Sequence, residues 1–346
     1  MSKSYTVFIL RGQPFHNAHK KIVQNALKKS SEVIILIGSY RTPITIKNPW
    51  QYELRANLIR GSFDNADNTR ITIAPIRDYL YSMNTWVTSL QNIVTSIAKD
   101  NPVSLMGHFK DDSSFYLNWF PQWELIPQPN FKTTGGDNID GTTIRNMIFQ
   151  GDNFWQVYVP DFVADYISKY IKTDEFQRLK KEYDYIVNYK KSWAYVPFPP
   201  TFVTTDAVVI QAGHVLVVKR KREPGKGYFA IPGGFLNQHE TIRQGTLREL
   251  KEETQIRIPH AVLEKCIKQT VVFDHPMRSL RGRVITHASL IELDSNQPLP
   301  QVKGDDDASE AVWMPFNDIG LHEEIFFEDH YHIVNSLFTG NLVYNR

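Results

Sequence analysis

The sequence predicts an α/β protein of two units: an N-terminal α/β unit with a parallel sheet, then a C-terminal α+β unit. Three observations predict this. The 346 residues suffice for about two domains. In the first half, short apolar, β-branched runs alternate with stretches of helical period. Beyond a Pro-rich stretch at 196–200 (VPFPP) the pattern changes to a hairpin, a Gly-rich loop and one strongly polar helix. The expected boundaries are 1–172, a helical and Pro-rich linker at 173–200, and 201–346.

In chain order, 6–11 (TVFILR) and 33–38 (VIILIG) read as strands around a helix carrying Ile22, Ala26 and Leu27. Strand runs follow at 71–76, 103–107 and 123–126, and one intervening helix places Trp86, Leu90, Ile93, Val94 and Ile97 on one face. Alternation of this kind implies a parallel sheet covered on both sides, with ligands at the carboxyl ends of the strands. The segment 173–193 is a polar helix, and 204–211 and 214–222 form a hairpin about Ala212 and Gly213. Further strands are expected at 267–273 and 283–293.

Composition narrows the function classes. With 42% hydrophobic and 22% charged residues the chain is globular, and no apolar run reaches the ~18 residues of a membrane span. The N-terminus lacks the pattern of a secretory signal, and the single cysteine, Cys266, is core filler that builds no disulfide. Cytoplasmic residence is expected. A net charge of +2 supplies no global field for nucleic acid, so phosphate binding must be local. Small molecules are the expected partners; a homo-oligomer stays open.

After the first strand comes Arg11-Gly12-Gln13-Pro14-Phe15-His16-Asn17-Ala18-His19. Gly12 lets backbone approach a ligand, Pro14 stiffens the turn, and His16 and His19 occupy adjacent positions at a helix start. Helix amino ends attract phosphate, so this pair suits donation to a nucleotide's phosphates. A surface turn with two solvated histidines is the alternative. Later, Asp140 or Thr142 can cap a helix ending before Gly151, so that backbone N–H groups, the hydroxyls of Thr142 and Thr143, and Arg145 would converge on a departing pyrophosphate. An ordinary capped helix with a surface arginine is the alternative there.

The first of these stretches resembles the HxGH-type signature of the nucleotidyltransferase superfamily. It is one residue shorter before the histidines, and Ala18 stands at the usual glycine. Ile139 to Arg145 looks like that superfamily's late I-S-x-T-x-I-R motif. Together with Gly38 to Thr42, Asn48-Pro49-Trp50 through Glu53 and Arg55, Asp78 to Trp86, and Gly107 to Ser114, they look like nicotinamide mononucleotide (NMN) adenylyltransferases of the type fused to a second catalytic module. The resemblance implies a Rossmann-like unit in which the 5′-phosphate of NMN attacks the α-phosphorus of ATP. Mg²⁺, His16, His19 and Arg145 would assist, with Gly12, Thr142, Thr143, Lys110 and Asp111 on the nucleotide. It further implies Trp86 stacked on nicotinamide and Asp78 or Asn84 on its carboxamide. Without the resemblance, Trp86 reads as core and Lys110-Asp111-Asp112 as a solvated turn. No P-loop stretch is present and no G-x-G-x-x-G follows the first strand, which disfavours a P-loop ATPase or a dehydrogenase.

In the second half, Gly234-x5-Glu240-x7-Arg248-Glu249-Leu250-x-Glu252-Glu253-x2-Ile256 puts Glu249, Glu252 and Glu253 on one helical face. Hard cations such as Mg²⁺ or Mn²⁺ would offset their repulsion. This matches the Nudix box, with Gln255 at its usual glycine. By the family's chemistry, Glu252 and Glu253 are the main ligands of a cation that helps water attack a pyrophosphate; Glu249 assists and Arg248 orients a glutamate. Arg220 and Arg222, and Asp274 through Arg278, Arg281 and Arg283, supply cations suited to a diphosphate, an arrangement that resembles the ADP-ribose-directed Nudix branch. Ordinary surface pairing is the alternative for these arginines, and an acidic loop for Glu310, otherwise a late base. Two rival functions remain: a transferase for another acceptor, such as phosphopantetheine or flavin mononucleotide, and an ADP-ribose sensor that does not hydrolyse.

Overall fold

The computed structural model describes residues 3–107, 112–129 and 140–339. Its contacts divide into two units: residues up to Lys180 form the first, except that Leu80–Ser82 count with the second, which runs on from Lys181.

In the first unit the order is β1 (Tyr5–Leu10), α1 (Asn17–Lys29), β2 (Glu32–Ile37), α2 (Tyr52–Arg60), α3 (Asn65–Asn68), β3 (Ile71–Pro75), α4 (Met83–Ala98), β4 (Val103–Gly107), β5 (Glu124–Pro127), α5 (Gly141–Gln150) and α6 (Asp161–Tyr170), followed by α7 (Asp174–Lys191), which begins in the first unit and ends in the second. The strands are all parallel in the order β3-β2-β1-β4-β5, a doubly wound sheet. The order reverses between β1 and β4, and such a switch point opens a crevice at the strands' carboxyl ends. Because both faces are covered, β2 is an unbroken buried run from Val33 to Ile37 instead of an alternating one. One face packs Val7, Ile34, Leu36 and Leu105 against Leu90, Val94 and Ala98 of α4. Truncating Leu90 to alanine there would cost about 2–5 kcal/mol. Trp86 belongs to the same helix but sits at the margin of this core, half-buried. The stretch 173–200, expected to be a linker, contains α7 as a continuous helix that buries Phe176, Leu179, Tyr183 and Ile186 on one stripe.

The second unit contains β6 (Thr201–Gln211), β7 (His214–Arg220), β8 (Phe229–Ala230), β9 (Gly233–Phe235), α8 (Ile242–Thr254), α9 (His260–Lys265), β10 (Ile267–Phe273), β11 (Arg283–Glu292), β12 (Ala308–Pro315), α10 (Phe316–Leu321) and α11 (His330–Thr339). Its sheet is mixed: β11 pairs β6 in parallel, and the other pairs are antiparallel. The hairpin turns at Ala212 and Gly213, both in the left-handed region. Leu247 and Leu250 of α8 enter a core with Ala207, Val209 and Leu216, and Cys266 packs at its edge. No described helix is long and apolar enough to cross a membrane.

Candidate active sites

In the first unit the turn after β1 is shaped by Gly12 at φ +64° and by Gln13, whose buried side chain bonds both backbone groups of Trp50 (2.8 and 3.2 Å). The turn delivers His16 as the N-cap residue of α1 and His19 on its first turn. Their rings stack with centroids 3.5 Å apart, against Phe15 and Phe8. No side chain caps α1 and its first turn holds no acidic residue, so the positive end of the helix is not offset locally.

The second phosphate-directed element reaches this turn directly. A Cβ on Gly141 would lie 2.7 Å from the carbonyl oxygen of Gln13, so only glycine lets α5 start so close. Arg145 Nη1 donates to that same carbonyl, and Nη2 to Thr142 Oγ1. Desolvation and the neighbouring Arg11 lower the Arg145 guanidinium to about 10, against the opposing pull of Asp140, so a cation-rich corner is held together in which burial outweighs the one nearby carboxylate. Arg11, an exposed contributor to this field, was not singled out from sequence. Thr142 and Thr143 sit at the start of α5, but their N–H groups donate to Asp140 Oδ1 (2.8 and 3.0 Å) and Thr143 Oγ1 to Asp140 Oδ2. The α5 amino end is thus capped where that of α1 is open.

Below the turn lies Arg55, 1% exposed, which donates to the carbonyls of Arg11 (2.6 Å), Gly38 (2.7 Å) and Ser39 (2.9 Å) and so ties together the carboxyl ends of β1 and β2. Burial lowers its guanidinium to about 10. An arginine sharing the helical stripe of Leu58 and Ile59 was the sequence signal for this role. Asp78, expected on the carboxamide, accepts from Ser39 N (3.1 Å) and Ser39 Oγ (2.7 Å) and holds Ser39 at φ +53°. Asn84 is exposed on the first turn of α4, and Trp86 meets Tyr116 edge-on at 5.5 Å. Lys110 and Asp111 lie outside the described residues.

In the second unit α8 begins with a full capping box, Thr241 with Gln244, and ends at Gln255 in the left-handed region (φ +49°) where the usual residue is glycine. Gly234 packs against Glu249 so closely that a Cβ would lie 2.5 Å from its Oε1. Arg248 binds Glu240 bidentately (2.6 and 2.9 Å), Glu249 Oε1 (2.8 Å), Glu252 Oε2 (2.9 Å) and the carbonyl of Phe235 (3.2 Å). These bonds hold the Glu240 carboxyl down to about 2. Glu253 points inward, buried, and accepts from Gly233 N at 3.0 Å. Burial pushes its carboxyl up to about 8, and burial also raises that of Glu249.

Among the described residues no group of three or more His, Cys, Asp or Glu side chains is arranged to hold a metal ion. Glu249 and Glu252 share Arg248, while Glu253 stands apart on Gly233. The donor set nevertheless fits a hard divalent cation: all donors are carboxylate oxygens, and two are desolvated, a cost that a cation would relieve.

Of the five arginines expected to meet a diphosphate, two come together. The Arg220 guanidinium lies 4.2 Å from the centre of the Phe327 ring, and that of Arg281 lies 5.9 Å from the same ring and 5.3 Å from Phe235. Two more are held in surface pairs, Arg222 with Asp307 (2.9 Å) and Arg283 with Asp274 (3.8 Å). Arg278, the fifth, is buried and binds Asp329 through Nε and Nη2 (both 2.9 Å), so its fork is spent on a carboxylate of the fold. Burial alone would lower its pKa, but Asp329 and Asp206 raise it. Glu310 is exposed on β12.

Known proteins bear on both units. The NUDIX domain model matches residues 200–337, and the cytidylyltransferase-like model matches residues 12–109. A nicotinamide/nicotinic acid mononucleotide adenylyltransferase of Acinetobacter baylyi is 33% identical over 180 residues, 52% of this chain and 93% of that protein. An ADP-ribose pyrophosphatase of Methanocaldococcus jannaschii is 32% identical over 117 residues, 34% of this chain and 63% of that protein. The crystal structure of a bifunctional NMN adenylyltransferase/ADP ribose pyrophosphatase from Francisella tularensis, complexed with AMP and a Mn ion, matches with a TM-score of 0.91 and 35% identity, covering 98% of this chain and 99% of that one. A histidine-bearing nucleotidyltransferase unit followed by a Nudix unit, with likeness along the whole length to a protein built the same way, places the chain in the family of bifunctional NMN adenylyltransferase/ADP-ribose pyrophosphatases.

Proposed function

We propose that the first unit makes a phosphoanhydride bond and the second breaks one: adenylyl transfer from ATP to NMN, giving NAD and pyrophosphate, and hydrolysis of ADP-ribose to AMP and ribose 5-phosphate. The observation that carries this reading is the pairing, in one chain, of two stacked imidazoles at an uncapped helix end with a desolvated Nudix carboxylate set beside two arginines. Likeness to the Francisella protein over 98% of the chain supports it.

In the transferase, a phosphate oxygen of NMN bonds to the α-phosphorus of ATP while the α–β bridging bond breaks. The protein supplies no nucleophile. His16 and His19 donate to phosphate oxygens as charge builds, the open end of α1 adds its partial charge, and Arg145, fixed on Gln13, faces the leaving pyrophosphate. Gly12 admits the nucleotide, with Thr142, Thr143, Lys110 and Asp111 contributing further contacts. Trp86, Asp78 and Asn84 receive nicotinamide. We take 1–172 and 201–346 as the two catalytic units.

In the hydrolase, Glu249, Glu252 and Glu253 hold Mg²⁺ or Mn²⁺, which when bound supplies Lewis-acid activation of the phosphoanhydride and of water. Arg248 holds Glu249 and Glu252 in place. Arg220 and Arg281 bind the diphosphate; Arg222 and Arg283 reach it only by leaving their surface partners. Water's oxygen bonds to phosphorus, and the bridging bond breaks. Product analysis of the purified chain with NMN plus ATP and, separately, with ADP-ribose tests both halves; NAD in the first and AMP in the second are expected. Turnover of another phosphorylated acceptor without NAD, or ADP-ribose bound but intact, would establish the rival readings.

A further inference from the structure

Three consecutive residues just before α11 each meet an arginine from elsewhere in the second unit. Phe327 lies under Arg220, Glu328 Oε2 accepts from Arg281 Nη2 at 3.5 Å, and Asp329 takes Arg278 in two bonds. The arginines come from the end of β7 and from the segment between β10 and β11. Phe327 is itself fixed: its N–H donates to the Phe229 carbonyl at 2.7 Å, and Gly225 packs onto its ring so closely that a Cβ would lie 2.2 Å away. Arg220 is fixed by donation from Nε to the Pro224 carbonyl at 2.9 Å. Arg281 has weaker ties, to Ser279 Oγ at 3.2 Å and to Glu328.

Glu328 is the unusual member of the three. Its φ is +46°, a conformation that side chains other than glycine rarely adopt, yet a glutamate stands there with its side chain only 11% exposed. Two guanidiniums near one ring repel each other, and Glu328 is among the negative charges that oppose this at Arg220, with Glu253 and Asp307. A strained backbone and a nearly buried carboxylate directed at the loosest arginine together mark a function for the side chain.

We propose that Glu328 is a positioning residue of the hydrolase: it holds Arg281 beside Phe327, so that Arg281 and Arg220 form a fixed pair of cations for the diphosphate of the substrate. Glu328 acts on the substrate through Arg281. The inference rests on the reading of the second unit as an ADP-ribose pyrophosphatase.

The test is steady-state hydrolysis of ADP-ribose at saturating Mg²⁺ by the full chain and by its Glu328→Gln, Glu328→Gly, Arg281→Ala and Glu328→Gly/Arg281→Ala variants, with thermal midpoints and adenylyl transfer as controls. Glycine accepts φ +46° freely, so Glu328→Gly removes the carboxylate without adding strain even if the glutamine variant folds poorly. The expected result is a KM raised about tenfold in Glu328→Gly with kcat within about threefold, the pattern for lost binding common to ground and transition states. The KM of the double variant should equal that of Arg281→Ala alone, because both changes remove one interaction. A KM for Glu328→Gly within twofold of the parent, or additive effects in the double variant, would overturn the proposal while leaving the hydrolase reading intact. A parent protein that does not hydrolyse ADP-ribose would remove both.

Discussion

The first site gathers cations and an open helix end around a place for phosphate, whereas the second gathers carboxylates around one guanidinium. In the first, α1 has no cap and no acid in its first turn, and Arg145 and Arg55 are bound to backbone carbonyls. In the second, α8 is capped at its start, and its charge sits along its side, where Arg248 ties three glutamates. The difference follows from what each unit is proposed to do. A transferase handling two highly charged nucleotides must neutralise phosphate, while a hydrolase that recruits a divalent cation must hold negative charge ready for it.

The largest expected effect breaks the second site alone. Glu253→Gln should lower ADP-ribose hydrolysis by on the order of a thousandfold or more, since cation-assisted catalysis contributes several kcal/mol at about 1.4 kcal/mol per decade. Adenylyl transfer by the same preparation should be unchanged, and a parallel loss would mean that the substitution acts through folding.

A smaller effect sharpens the account of the first site. Arg55→Lys replaces a fork that reaches three carbonyls with a single ammonium, loosening the Gly12 and Ser39 turns together. We expect kcat/KM for adenylyl transfer to fall roughly tenfold to a hundredfold from mispositioned substrates, with hydrolysis unaffected. Unchanged transferase kinetics with only a lower thermal midpoint would assign Arg55 to stability alone.

The smallest effect separates the units by acid stability. His330 is buried, its Nδ1 accepts from Ile231 N at 3.1 Å, and burial lowers its pKa to about 3. An unfolded histidine titrates near 6.5, so between pH 6.5 and 3 only the unfolded state takes the proton, and stability is lost as pH falls through that window. Relative to His330→Gln, the parent should lose about 2 kcal/mol of second-unit stability between pH 7 and 5. Urea titrations followed through hydrolysis measure this; parallel pH profiles would contradict it.

The parts legible in sequence were those whose chemistry is local. The histidine pair and the acidic helix each lie within a few turns of chain, and the strand runs are apolar because both faces of their sheet are covered. What sequence did not show depends on distant partners. Arg55 answers to carbonyls 16, 17 and 44 residues away, and Asp329 to Arg278 across 51. Local pattern also overstated some donors: the N–H groups of Thr142 and Thr143 look available in sequence, but Asp140, the cap anticipated beside them, takes both. Composition alone could not separate Arg220 and Arg281, gathered at Phe327, from Arg222 and Arg283, which pair at the surface.

The most direct test of two chemically separate sites is the ratio of the two rates, NAD formation from NMN and ATP against AMP release from ADP-ribose, in His19→Ala and Glu253→Gln protein assayed side by side. The account predicts opposite shifts: about a hundredfold toward hydrolysis in the first, the size of losing one transition-state donor, and a larger shift toward transfer in the second. A ratio that stays at its parental value in either variant would contradict it.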